Sequence, residues 1–364
     1  MEYTKKKIGI LTWHYYPNFG SALQSFALQT ILGGLGHNVS IINYRNPKYS
    51  ILSRKAVFVY TVSYYIYRLL GCMFGRYKNL PFFFRKRYLK ETKMVIDEVG
   101  VRQLSEQYDA IVFGSDQIWA PNVYNPIYQG KYSPNCKKVA YAASIGLPEI
   151  QQDLVEKYKE NLSSFSHIGV REEEGQKVLN NQCGINSEVV LDPTLLLSVD
   201  RYKAMERKVS NTKEPFAFCY FLNANNQYRQ SVEAYAKKHG LRIVGCSARK
   251  EDEEWMTIIK DISACEFLWL IHHSNCVFTD SYHGTIFSLL YHKNLRTYMR
   301  FSEDDPIAQN SRIRQLDHYF NIAPLIQNPK QDVSEIGFDF DKFETSLVLL
   351  KEKSLTFLTK ALSE

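Results

Sequence analysis

His283 stands between two contrasting stretches of the chain. Before it, Cys276 to Phe278 is an apolar run that reads as a buried strand, and Thr279, Asp280 and Ser281 break it into a polar turn. After it, a helix with apolar spacing runs from Gly284 towards Tyr291. The first N–H groups of a helix are unpaired and its dipole favours an anion. An imidazole placed there gives or takes a proton near neutral pH. Ser281, His283 and Gly284 therefore mark a candidate anion site with a proton donor built in.

Other residues of the same kind recur where strands end. Asn18, Gly20, Ser21 and Gln24 lie at the start of the first helix, where dinucleotide proteins bind pyrophosphate. Their glycine pattern is not GxGxxG, so it lends nothing to nucleotide binding. Ser115 and Asp116 follow a strand in the same way, and Asp116 is a candidate to orient or deprotonate a hydroxyl. His14 could share that task or sit at the edge of the core. Arg171, beside Glu172, is open to an anion contact or to pairing with Glu172, Glu173 or Asp192. Glu266 opens a helix, where the dipole favours a carboxylate. His272 and His273 are adjacent, so they are expected on different sides of a helix, and no essential metal is expected.

The elements that must position these groups alternate strand and helix. Lys7 to Leu11 reads as a strand, Ala22 to Leu35 as a helix and Val39 to Tyr44 as the next strand, a βαβ unit. Tyr108–Phe113, Lys138–Ala142, His167–Val170 and Ser187–Val190 continue the strands. Each stops at small, polar or charged residues that would line one crevice. After the polar stretch from Asp200 to Glu214 a second series begins: strands at Pro215–Leu222, Leu241–Cys246, Cys276–Phe278 and Leu295–Met299, with helices at Gln227–His239 and Cys265–His273. Arg300, Asn310, Ser311, Arg312 and Arg314 are expected on a polar loop after the last of these strands, and Phe338 to Leu362 as one or two helices. The expectation is an α/β chain of two Rossmann-like domains facing a cleft: residues 1–199, residues 200–325 and a helical segment over 326–364.

Composition sets the outer limits. The chain has 364 residues, 45% hydrophobic and 23% charged, which fits two globular domains. No signal peptide fits before the strand at Ile8, and seven scattered cysteines without a CxxC pair favour a reducing compartment, so a cytoplasmic protein is expected. The net charge of +7 is concentrated between Ile51 and Lys90, where basic and aromatic residues interleave without one acidic group. Arg68 and the many tyrosines argue against a membrane-spanning helix there. Two readings stay open: an ordinary helix with a basic face, or a helix resting on an anionic membrane at its inner face. No base-reading motif accompanies the charge, so nucleic acid is not expected as a partner.

Several of these pieces occur in a telling order. Asn18-Phe-Gly-Ser-Ala-Leu-Gln24 is followed by Gly114-Ser-Asp-Gln-Ile-Trp119 and Arg171-Glu172. Leu191-Asp-Pro-Thr-Leu-Leu196, Glu266-Phe-Leu268 and Thr279-Asp-Ser-Tyr-His-Gly-Thr285 complete the series. In this register the chain resembles the polysaccharide pyruvyl transferase family over nearly its whole length. The resemblance implies a GT-B-like fold and transfer of the enolpyruvyl part of phosphoenolpyruvate onto two hydroxyls of a sugar. The product would be a cyclic pyruvate ketal on a surface-polysaccharide or lipid-linked saccharide, with no cofactor beyond the donor itself. A polyprenyl-linked acceptor would suit the basic-aromatic segment.

The resemblance also implies roles for the residues. His283 would protonate the donor's methylene carbon or contact its phosphate, and Arg171 would contact an anion. Asn18, Gly20, Ser21, Gln24 and Ser115 would recognise the acceptor or form a tight turn, and Glu266 matches the family's Glu-Phe pair. Many members carry an arginine two residues before this histidine, where this chain has Ser281. Arg300 and Arg312, with Asn310 and Ser311 beside them, are the expected replacements, whereas Arg314 is expected in a surface salt bridge. Two rivals remain: a GT-B-type glycosyltransferase using a nucleotide sugar with Glu266 on the ribose, and a noncatalytic protein that binds glycan or a membrane surface.

Overall fold

The computed structural model describes residues 5–15, 18–46, 81–133, 136–210, 212, 215–223, 226–246, 250–302, 305, 308–327 and 336–363. The core of the basic-aromatic segment, residues 51–80, lies outside them.

Two six-stranded sheets, parallel in every pairing, build the molecule. The first contains β1 (Lys7–Leu11), β2 (Asn38–Ile41), β3 (Ala110–Phe113), β4 (Lys137–Ala143), β5 (His167–Val170) and β6 (Glu188–Val189), in the order β2-β1-β3-β4-β5-β6. The second contains β7 (Phe216–Tyr220), β8 (Arg242–Gly245), β9 (Thr257–Ile258), β10 (Cys276–Thr279), β11 (Asn294–Tyr298) and β12 (Ile326–Gln327). Its order is β12-β11-β10-β7-β8-β9. Central strands such as β3 and β10 are buried throughout, as strands covered on both faces must be.

Strand order reverses between β1 and β3 in one sheet and between β7 and β10 in the other. Chains leave such neighbours in opposite directions, which opens a crevice at the carboxyl ends of the strands. These switch points face each other, because the helices that follow β1 and β10 touch. They are α1 (Phe19–Gly34) and α9 (Tyr282–Leu290). Phe19, the first residue of α1, stacks on Phe267 in α8 (Ala264–His273) at 4.7 Å, joining the halves beside the crevice.

The structure differs from the sequence expectation in two places and takes the single-helix alternative at the C-terminus. Ser311–Phe320 is a helix, α10, rather than a loop. Ile313, Leu316 and Phe320 supply a buried apolar stripe at helical spacing behind its basic start. Strand β12 takes the second sheet to Gln327, beyond residue 325. The C-terminal segment is one helix, α11 (Phe340–Ser363), and it returns to the first sheet. There Phe357 packs beside Tyr141, and Ser354 Oγ accepts from the Leu191 N–H at 3.0 Å. Within the described residues no helix is long and apolar enough to cross a membrane.

Candidate active site

Between the two switch points lies a cleft of ≈ 310 Å³. Trp13, Asn18, Ser21, Asp116, Gln117 and Val123 line it from the first half. Leu222, Ser281, Tyr282, His283, Arg300 and Arg312 line it from the second. The volume is that of a small-ligand site. Nearly all these residues follow a strand end, so the fold itself delivers them.

Two helix N-termini point into this cleft. Asn18 caps α1, its side chain accepting from Ser21 N–H at 3.1 Å. Ser281 caps α9 in the same way, accepting from Gly284 N–H at 3.3 Å. Such caps fix where the helix starts and leave the remaining N–H groups for a ligand. His283 sits between the helices. A Cβ added to Gly20 would lie 2.1 Å from His283 Nδ1, so the imidazole packs directly on the first turn of α1. At Gly284 a Cβ would meet Thr279 Oγ1 at 2.5 Å, so glycine lets α9 start tight against its own strand.

The far side of His283 faces acidic groups of the first half. Its Nε2 lies 3.6 Å from Asp192 Oδ2, too far for a hydrogen bond but close enough for charge to matter. Asp192 Oδ2 also accepts from Ser115 Oγ and from the Arg171 guanidinium, each at 3.0 Å. Burial works against the Asp192 charge, but His283, Arg171 and Thr194 outweigh it and hold the carboxyl well below the usual carboxylate range. Arg171 is buried against the Tyr282 ring at 4.7 Å, and Glu172 Oε2 stands 3.7 Å from its Nε. Arg171 thus resolves in favour of its acidic neighbours, although its Nε and Nη2 donate to no protein group.

Arg312 and Arg300 supply the positive charge on the open side. Arg312 donates to Gln309 at 3.3 Å and lies 5.8 Å from the Tyr282 ring, while its Nε has no hydrogen-bond partner. Burial, with Arg171 and Arg300 beside it, pushes its pKa down to about 9. Arg300 donates to the Asp280 carbonyl at 3.2 Å, and its Nε, without a hydrogen-bond partner, lies 4.0 Å from Asp280 Oδ2. Arg300 and Arg312 share the cleft lining with Ser281.

Asp116 completes the first half. It adopts φ 68°, a left-handed conformation rare for a residue with a side chain and common at functional sites. Ser21 Oγ donates to its Oδ2, and its Oδ1 accepts from Gln117 N–H at 2.8 Å. The carboxylate is aimed and faces the cleft.

Several expected site residues lie outside the cleft lining. Gln24 donates to Thr12 Oγ1 and to the Trp13 carbonyl, pinning α1 to the end of β1. Glu266 forms a capping box with Ser263 and lies 3.4 Å from Arg207. Asn310 donates to the Phe301 carbonyl at 2.8 Å and holds the loop ahead of α10. Ser311 is buried there without a partner for its hydroxyl and does not line the cleft. Ser115 donates to Asp192 and is not among the lining residues. His14 is fully buried beside Glu91 and is not itself among the lining residues.

Sequence reasoning missed Asp192, Tyr282, Trp13 and Gln117. Asp192 had a signal, since it opens the Asp-Pro-Thr turn after a strand; the other three had none beyond position. His272 and His273 also depart from expectation, because both turn towards one carboxylate. Their Nδ1 atoms lie 3.0 and 3.9 Å from Glu206 oxygens, near the end of α8 where both side chains meet the loop after residue 203. Among the described residues this is the one His/Cys/Asp/Glu group with metal-ligand spacing, and it lies outside the cleft.

Solved structures place the architecture. The chain superposes on UDP-GlcNAc 2-epimerase from Neisseria meningitidis with a TM-score of 0.51 and 11% identity, covering 98% of this chain and 94% of that one. The Methanocaldococcus jannaschii UDP-GlcNAc 2-epimerase gives 0.53 and 13%, covering 95% and 92%. At such identities the likeness concerns the fold alone, which is the GT-B-like class of two facing α/β domains. Within that class the family is specific. A sequence model of the polysaccharide pyruvyl transferases matches residues 18–296, and the chain belongs to that family of transferases. No curated protein matches it in sequence.

Proposed function

We propose that this transferase moves the enolpyruvyl group of phosphoenolpyruvate onto two hydroxyls of a sugar in a surface-polysaccharide precursor, forming a cyclic ketal and releasing phosphate. The observation that carries this reading is His283, held between two helix N-termini in a cleft that Arg300 and Arg312 also line. Phosphoenolpyruvate brings a phosphate and a carboxylate, which these N–H groups and the Arg300 and Arg312 guanidiniums are suited to bind.

The steps follow from the donor's chemistry. His283 gives a proton to the methylene carbon, which leaves C2 as an electron-poor centre. A sugar hydroxyl attacks C2 while Asp116, aimed by Ser21, takes its proton. Phosphate then departs, and a second hydroxyl closes the ring at C2. One hydroxyl proton replaces that given by His283 and the other leaves with phosphate, so the cycle balances without a redox partner. Trp13 at the mouth offers an apolar ring face for the acceptor sugar.

A nucleotide-sugar reading would place Glu266 on a ribose, but that carboxylate is engaged in its helix cap. The acceptor, its polyprenyl link and peripheral contact with the inner membrane face belong to the proposal, as does a cytoplasmic site of action. Incubating the protein with phosphoenolpyruvate and a panel of aryl hexosides tests the reaction. Phosphate release matched by a product one pyruvate ketal heavier is expected. Release of pyruvate or no product from any hexoside, with nucleotide sugars consumed instead, would overturn it.

A further inference from the structure

Glu206 lies in the segment that joins the two halves, between β6 and β7, and its side chain is 9% exposed. Its carboxylate meets the carboxyl end of α8. His272 Nδ1 is 3.0 Å from each of its oxygens, and His273 Nδ1 is 3.9 Å from Oε2. One donor atom from each of the three residues falls within 4.8 Å of the other two. None of them lines the cleft, and the proposed reaction uses none.

Adjacent residues on a helix ordinarily project in different directions, so this convergence has to be held in place. The His272 ring stacks on Tyr291 at 4.8 Å and the His273 ring on Trp269 at 4.4 Å. Arg207 N–H donates to the Cys265 carbonyl at 3.2 Å and its guanidinium lies 3.4 Å from Glu266, which keeps the joining segment against α8. The carboxyl end of a helix favours cations, and Lys293 Nζ donates to the His272 carbonyl there at 2.8 Å. Burial and the neighbouring Glu206 carboxylate push the Tyr291 phenol pKa up, and its buried hydroxyl completes no hydrogen bond.

We propose that Glu206, His272 and His273 form a site for a divalent transition metal such as zinc, which clips the joining segment to the second half. Two imidazoles and a carboxylate, with a fourth position left to water, are a donor set that suits zinc. Such a water would also give the Tyr291 hydroxyl a partner. Ligands about 2.0–2.1 Å from a tetrahedral ion stand about 3.3 Å apart. The carboxylate is slightly too close to His272 for this and slightly too far from His273, so movements of less than about 1 Å complete the shell. The ion takes the place of the ring protons at Nδ1, and His273 exchanges its contact with the Trp269 carbonyl, 3.0 Å away, for the metal. The clip is structural and independent of the chemistry in the cleft.

Calorimetric titration of the full chain, stripped with EDTA, against zinc chloride tests the site, with cobalt(II) absorption beside it. One zinc per chain is expected, with visible bands of four- or five-coordinate cobalt and a Tm that rises with zinc. His272→Gln, His273→Gln and Glu206→Gln should each weaken zinc binding by at least about tenfold and remove the Tm rise. His292→Gln alters a surface histidine paired with Glu344 and should keep both. Circular dichroism checks that each variant folds, and if one does not, the other two carry the test. No zinc uptake by the wild type, or unchanged uptake in a folded variant of any of the three ligands, overturns the proposal.

Discussion

Replacing Gly20 with alanine should disable the enzyme without unfolding it. The new Cβ would stand 2.1 Å from His283 Nδ1, 2.5 Å from Cγ and 2.9 Å from Cε1. Ordinary contact needs about 3.5 Å, so the ring or the first turn of α1 must retreat by roughly 1 Å. Both are part of the candidate site, and a displacement of about 1 Å in a reacting group costs on the order of 10²-fold in rate. Overpacking of this kind costs roughly 1–3 kcal/mol of stability, a Tm loss of several degrees. The assay is phosphoenolpyruvate-dependent phosphate release with a hexoside acceptor, beside a thermal melt. A Gly20→Ala enzyme within about threefold of wild type would refute the placement of His283 on α1.

Further expectations concern charge. His283→Asn should abolish turnover, by about 10²-fold or more, while phosphoenolpyruvate still binds in calorimetry; an active variant would remove His283 as proton donor. Arg312→Met should weaken phosphoenolpyruvate binding by at least about tenfold, and unchanged affinity would place the donor elsewhere. Since the Arg312 pKa is lowered to about 9, its charge is present below that pH and lost above it. Phosphoenolpyruvate affinity should therefore fall as pH rises through 9, and a flat profile to pH 10 would contradict this. Burial, opposed by Glu91 and aided by Arg85, lowers the His14 pKa from 6.5 to about 4. The unfolded chain then binds a proton that the fold refuses, so stability falls as pH drops from about 6.5 towards 4. His14→Gln should flatten Tm over that range if it folds, and an unaltered slope would assign the loss to other groups.

Much of the architecture was legible because it depends on local pattern. Apolar runs ending in polar turns marked the strands, and a polar residue before an apolar-periodic run placed His283 and Asn18 at helix starts. Side-chain partners were less legible, since they depend on packing between segments far apart in sequence. Gln24 and Glu266 looked like site residues by position, but Gln24 bonds to the chain just after β1 and Glu266 to its own helix cap. Asp192 looked like one end of an ion pair, and only the approach of the second half brings His283 to its other side. Helix α10 was hidden because its first turn is polar, although Ile313, Leu316 and Phe320 carry its spacing.

The central claim is that the cleft takes phosphoenolpyruvate as donor and that His283 sits beside it. Calorimetric titration with phosphoenolpyruvate, and in parallel with UDP-GlcNAc, on wild type and His283→Ala tests it most directly. The account predicts saturable phosphoenolpyruvate binding that the variant weakens, with no heat from UDP-GlcNAc. Binding of UDP-GlcNAc alone, unaffected by phosphoenolpyruvate, would contradict it.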